Sequence, residues 1–270
     1  MSMIRQSTVC LGLAVWLSGA SAWAAEVQVA VAANFAGPLK TLAEAFQKKT
    51  GHSVVASSGA TGKLYAQVKN GAPFEVLLSA DDKTPTTLET EGLALAGTRF
   101  TYAIGKLVLF SSKPDFVDGA GAVLKAGKFS HLAIANPKTA PYGAAAIAAL
   151  TQLKLLDALR PRFVEGENIA QTLQFVESGN AELGFVAWSQ VLDKGKPRAG
   201  SYWLVPESLY PEIRQDAVAL KTGEKNPAVA AFLGFLKSDA ARKIIAESGY
   251  ALPKLAAKSV SAAVPAPATK

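Results

Sequence analysis

Ser57-Ser58-Gly59-Ala60-Thr61-Gly62-Lys63-Leu64 is the stretch whose reading decides the fold of this chain. An apolar run, 52–56, precedes it, and Leu64 and Val68 follow at helical spacing. The pattern predicts a strand, a small-residue loop, and a helix beginning near Lys63. A turn so bare of side chains lets backbone N–H groups fold inward, and the helix behind it adds unpaired donors and the positive end of its dipole. By itself such a loop is more often an ordinary connection than an anion cradle. What favours the cradle is that the chain builds the same device four times.

Working outward, residues 26–32 (Glu-Val-Gln-Val-Ala-Val-Ala) form an apolar run that enters a buried sheet and ends at Ala33-Asn34. Phe35, Leu39, Leu42 and Phe46 then recur at helical spacing, Pro38 is tolerated only in a first turn, and Thr50-Gly51 stops the helix. Asn34 therefore stands at a helix start directly after a strand, where the simplest reading is an N-cap. Beyond the opening stretch, 74–79 is a third expected strand and 84–91 a third helix. Strands alternating with helices in this way specify a mostly parallel sheet with ligands at the carboxyl ends of its strands.

Residues 101–111 are a longer β-like run broken by Gly105, as suits a segment leaving one lobe for another. The alternation then resumes: strand 132–135, loop 136–143 and alanine-rich helix 144–156, then strand 162–165, tight loop 166–168 and helix 169–177, then strand 183–188. Short strands follow at 202–205 and 217–220, the second being the expected return crossing, before a helical region at 227–248. The expected organisation is a first lobe of 25–104 plus 206–253 and a second of 105–205. Residues 254–270, without aromatics, are expected to be a disordered tail.

Residues 1–24 read as a secretory signal peptide. Arg5 opens it, a short apolar core runs over 10–17, and Ala22-Trp23-Ala24 is a small-x-small cleavage signal, with cleavage after Ala24 or Ala25. Cys10, the one cysteine, leaves with that segment, so the mature chain has no disulfide, thiolate metal site or Cys nucleophile. The formal charge of +7 falls to +6 with the loss of Arg5. An excess that mild and spread favours capture of small anions over nucleic-acid binding.

The four strand–helix junctions are Ala33-Asn34, Ala60-Thr61, Tyr142 with its neighbours, and Asn168-Ile169. Their centres offer neutral donors and backbone N–H groups in place of Lys, Arg or carboxylates. Such a cage suits a fully ionised oxyanion, because a protonated one needs an acceptor. Each charge-assisted bond returns only about 1.5–3 kcal/mol against a large dehydration cost, so several donors must converge. Catalytic and metal readings find little support. His52 and His131 both open strands, Asp81-Asp82 has no partner cluster and reads as a turn or helix cap, and Gly62-Lys63 lacks the rest of a P-loop.

These residues resemble the periplasmic molybdate-binding proteins of ABC uptake systems. The likeness covers nearly all of 26–252 and rests on Val31-Ala32-Ala33-Asn34-Phe35, on the opening stretch 57–64, on 71–81, on Ala135-Asn136-Pro137 with Pro141-Tyr142-Gly143, and on 183–189. It implies an α/β, two-lobed periplasmic binding protein of type II, each lobe a mostly parallel sheet flanked by helices, with two crossing strands that hinge near 102–106 and 216–220. It also implies a monomer that binds molybdate, and tungstate with it, for an inner-membrane ABC permease. No catalytic residues, cofactor or protein-bound metal site are implied. Carried over by position, the ligand residues are Asn34, Thr61, Tyr142 and Ile169, the last two through their N–H groups, with Ala33 and Ala60 as further candidates. One branch of the family has a ligand Tyr where this chain has Ala187. Other readings are a carrier of sulfate, phosphate or chromate, an iron carrier of the same fold, or an exported α/β hydrolase.

Overall fold

A computed structural model describes residues 24–193 and 195–254. The expected signal peptide and tail lie outside the described residues, save Ala24 and Lys254 at their inner ends.

The first part of the chain runs β1 (Glu26–Ala32), a 3-10 turn (Ala33–Phe35), α1 (Ala36–Thr50), β2 (Ser53–Gly59), α2 (Thr61–Lys69), β3 (Val76–Leu78), α3 (Lys83–Thr90) and β4 (Phe100–Gly105). The second comprises β5 (Leu107–Ser111), α4 (Ala122–Ala126), β6 (Leu132–Ala135), α5 (Pro141–Gln152), α6 (Leu156–Leu159), β7 (Phe163–Gly166), α7 (Ile169–Glu177) and β8 (Leu183–Ala187). A hairpin of β9 (Leu192–Asp193) and β10 (Lys196–Pro197) and the strand β11 (Ser201–Leu204) complete it. The chain returns through β12 (Ile213–Ala219), α8 (Pro227–Leu236) and α9 (Asp239–Glu247).

Two five-stranded sheets result, ordered β2-β1-β3-β12-β4 and, read from the matching edge, β7-β6-β8-β5-β11. In each, three parallel strands sit beside antiparallel ones, and the fourth strand is the one that arrives by a crossing from the other lobe. The protein is thus a two-lobed α/β fold of the type II kind, each lobe a repeat of the other's strand order.

The near-continuous burial of β1 follows from helices on both faces. Val27, Val29 and Val31 pack with Leu39, Leu42 and Phe46 of α1 and Phe232 of α8. Ala30, in the opposite phase, packs with Leu64 and Val68 of α2 and Leu88 of α3. Each such large side chain removed from water contributes roughly 1.5–3 kcal/mol, so the strand is held by both layers. The second lobe repeats this split: Leu183 and Phe185 of β8 face one cluster, Val186 the other, with Leu173 and Val176 of α7.

Three expectations need correction. The opening stretch is mostly not a loop, since β2 continues through Ser57, Ser58 and Gly59, paired with Ala30, Val31 and Ala32, and α2 begins at Thr61. Only Ala60 lies between them. As an exposed edge strand, β2 needs no apolar pattern, which is why its small residues imitate a loop. Likewise α5 starts at Pro141, its missing N–H tolerated at a first helical position, where a loop to Gly143 was expected. Gly143 permits that early start, because a Cβ there would sit 2.1 Å from the carbonyl oxygen of Ala135. Finally, 216–220 is not the return crossing: β12 is paired with β3 and β4 along its length, and the crossing is the segment 205–212 that precedes it. The outgoing crossing is Lys106 alone, between β4 and β5.

Candidate functional site

Four helix starts meet between the lobes. β1 delivers Ala33 and Asn34, β2 delivers Ala60 and Thr61, β6 leads to Tyr142 in the first turn of α5, and β7 leads to Ile169, the first residue of α7. All six residues singled out from the sequence line one small cavity. Asn34, Ala60, Thr61, Tyr142 and Ile169 are all buried there. No Lys, Arg, His, Asp or Glu lines it, and neither does Ala187.

The turns around the cavity use up some donors and leave others. Gly62 N–H donates across the lobes to Thr139 O (2.9 Å), and Lys63 and Leu64 donate to Ala60 O. Gly143 and Ala144 donate to Ala140 O, while Asn168 Oδ1 accepts from Ala170 and Gln171 at 2.9 and 3.1 Å. The N–H groups of Thr61, Tyr142 and Ile169 have no acceptor within their own helices, being in first turns, and the caps that satisfy their neighbours do not use them. Ala60 N–H also donates to no protein acceptor among the described residues. Thr61 Oγ1 accepts from Ala80 N–H (3.1 Å), so its own hydrogen points elsewhere.

Asn34 is not the helix N-cap expected from the sequence: its side chain makes no cap bond and is turned into the protein instead. Its Nδ2 donates to Gln215 Oε1 (2.9 Å) and Tyr250 Oη (2.9 Å), which spends both amide hydrogens. Its carbonyl accepts from Tyr250 Oη (2.9 Å) and from Ser189 Oγ (3.2 Å) of the other lobe. Gln215 Oε1 accepts also from Tyr102 Oη (3.1 Å), and Gln215 Nε2 donates to Tyr142 Oη (3.1 Å). Phe35 is wedged edge-on between the rings of Tyr102 and Tyr250, at 4.7 and 5.3 Å between centroids. Burial pushes the hydroxyls of Tyr102 and Tyr142 well above the ordinary tyrosine range, and that of Tyr250 up as well.

The sequence reading missed Gln215, Tyr250, Tyr102 and Ser189. A signal existed for Gln215, a polar residue in phase with Ile213, Ala217 and Ala219 on a buried strand. The charges near the site are occupied with one another: Lys63 and Glu167 form an ion pair across the cleft rim, both half exposed. Asp81 caps α3, accepting from Thr84 N–H (2.8 Å) and from the hydroxyls of Ser79 and Thr84. His52 Nδ1 accepts from Ala25 N–H (3.0 Å). Among the described residues no group of three or more His, Cys, Asp or Glu side chains is placed to hold a metal.

Two α/β lobes closed over a small, neutral, donor-lined cavity define a solute-binding protein. Residues 27–251 match the model of the bacterial extracellular solute-binding protein family. The chain is 56% identical over 246 residues to the molybdate-binding protein ModA of Azotobacter vinelandii, covering 91% of this chain and 98% of that one. It is 48% identical over 247 residues to ModA of Rhodobacter capsulatus, covering 92% and 96%. The solved structure of the Azotobacter vinelandii periplasmic molybdate-binding protein superposes with a TM-score of 0.83, at 46% identity over 84% of this chain and 100% of that one. The chain belongs to the bacterial extracellular solute-binding family and, within it, to the ModA group.

Proposed function

We propose that this protein captures molybdate, and tungstate with it, in the cavity between the four helix starts, and delivers it from the periplasm to an inner-membrane ABC permease. The observation that carries the reading is the donor set: N–H groups of Ala60, Thr61, Tyr142 and Ile169 and the Thr61 hydroxyl gather at one cavity lined by no charged side chain. A site of donors alone favours a fully ionised tetrahedral oxyanion over a protonated one. Asn34 contributes its remaining donor, the backbone N–H, while its side chain holds the turn in place. The ModA relatives, alike over almost their whole length, supply the choice of molybdate among such anions. The protein carries out no turnover of its own, acts as a monomer, and loses its signal peptide near Ala24 on export.

Calorimetric titration of the mature protein against molybdate, tungstate, sulfate, phosphate and chromate tests this. Molybdate and tungstate are expected to bind far more tightly than the rest. Sulfate binding as tightly as molybdate would overturn the assignment.

A further inference from the structure

Gln215 is fully buried on β12, and its amide has a donor end and an acceptor end that meet different lobes. The acceptor end, Oε1, takes hydrogens from Asn34 Nδ2 (2.9 Å) and Tyr102 Oη (3.1 Å), both in the first lobe. The donor end, Nε2, gives to Tyr142 Oη (3.1 Å) in the second. Asn34 and Tyr142 also line the ligand cavity, one from each lobe.

The surroundings are shaped for this contact. Gly105 closes β4 just before the outgoing crossing, and a Cβ there would stand 2.1 Å from Tyr142 Oη and 2.7 Å from Gln215 Nε2. Only glycine leaves room for the two groups to meet. On β12 itself the register with β4 shifts between Gln215 and Asp216. A bulge of this kind re-aims side chains, and both residues end up buried. Asp216 turns to Arg99 Nη1 and Thr101 Oγ1, each at 2.7 Å, which pins the strand while Gln215 reaches the other way. The bridge thus lies between the two crossings, next to Gly105 before one and just beyond 205–212 on the other.

We propose that Gln215 is a positioning residue that ties lobe closure to the ligand cage, acting through Asn34 and Tyr142 without touching the anion. The inference deepens the molybdate-binding reading and rests on it for its affinity test. When the second lobe swings in, Tyr142 brings its N–H to the cavity and its hydroxyl to Gln215 in one movement. Each event then favours the other, because a buried amide that loses one partner keeps its desolvation cost.

The test uses the mature protein and the variants Gln215→Met, Tyr142→Phe and the double variant, with molybdate as the probe. Tyr142→Phe removes only the hydroxyl and is the milder change should Gln215→Met fold poorly. Each single variant is expected to weaken molybdate binding about 5- to 30-fold, through faster release with the association rate held within about threefold. The double variant is expected to be no weaker than the worse single one, since both changes break one bridge. Effects that multiply in the double variant, or singles that bind like the parent, overturn the proposal. Should the parent itself not bind molybdate, the functional reading fails and the bridge is read without ligand, from the distance between dyes on Lys48→Cys and Lys125→Cys, one in each lobe. A shift to longer distances in the variants supports the coupling, and an unchanged distribution overturns it.

Discussion

The hydroxyl of Thr61 has one hydrogen and is held by a neighbour's: Ala80 N–H donates to it, which fixes the rotamer and leaves the hydroxyl hydrogen for a ligand. Thr61→Ala loses that donor and also leaves Ala80 N–H unpaired. One charge-assisted bond is worth about 1.5–3 kcal/mol, so molybdate affinity is expected to fall about 10- to 100-fold by calorimetry, while Thr61→Ser stays within about threefold. The pH dependence follows from the same set of residues. Tyr142 is the one ionisable side chain lining the cavity, and burial raises its hydroxyl, as it raises Tyr102 and Tyr250 behind it. A raised pKa means the neutral, hydrogen-bonding form is favoured in the folded state, fully below the ordinary tyrosine range and lost only as pH rises above it. Binding is therefore expected to be flat from about pH 6 to 9, with the same heat in buffers of different ionisation enthalpy. Asn34, Thr61, Tyr142 and Ile169 were legible because each stands at a strand-to-helix junction and matches a ligand position of the family that the chain resembles. For Gln215 only the burial had a signal in the sequence; its partners Tyr142 and Asn34 are 73 and 181 residues away, and no spacing rule reaches that far.

At the scale of elements, the helix caps decide which donors the cavity receives. Asn168 accepts from the second and third N–H groups of α7 and so does not use the first, that of Ile169, a residue of the cavity wall. Asn168→Asp keeps a cap of equal quality but sets a negative charge beside the anion. Thermal stability without ligand is expected to stay within about 2 °C while molybdate affinity falls by at least about tenfold, a split that calorimetry and a melting curve read together. Gly143→Ala should do the reverse: its Cβ meets Ala135 O at 2.1 Å, so the first turn of α5 must lift off β6, and a loss of melting temperature is expected before any question of affinity. Element identity was legible in the sequence wherever apolar periodicity was strong, as in β1 with α1 or in α7. Element boundaries were not, since Ser57-Ser58-Gly59 on the edge of a sheet and Pro141-Tyr142-Gly143 in a first turn both carry the composition of loops.

For the whole molecule the question is what holds the lobes together. Among the described residues the contacts across the cleft are few and mostly neutral: Gly62 N–H to Thr139 O, Ser189 to Asn34 O and Tyr250, Gln215 to Tyr142, and the Lys63–Glu167 pair at the rim. The rim pair is half exposed on both sides, and pairs of that kind contribute no more than about 1 kcal/mol and weaken with salt. Its worth to ligand binding lies in the closed state alone, so it biases closure and does not hold the anion. Lys63→Ala is therefore expected to change molybdate affinity by less than about fivefold. Lys63→Glu places two carboxylates together at the rim and should weaken binding further, with a shift to the open form seen as a larger radius of gyration in solution scattering. Adding Glu167→Lys restores an opposite-charge pair and is expected to recover both affinity and compactness. The two effects separate cleanly: a charge acting on the lobes is rescued by the swap. A Lys63 that touched the anion would not be rescued, because the restored pair leaves glutamate where the ligand needs a cation.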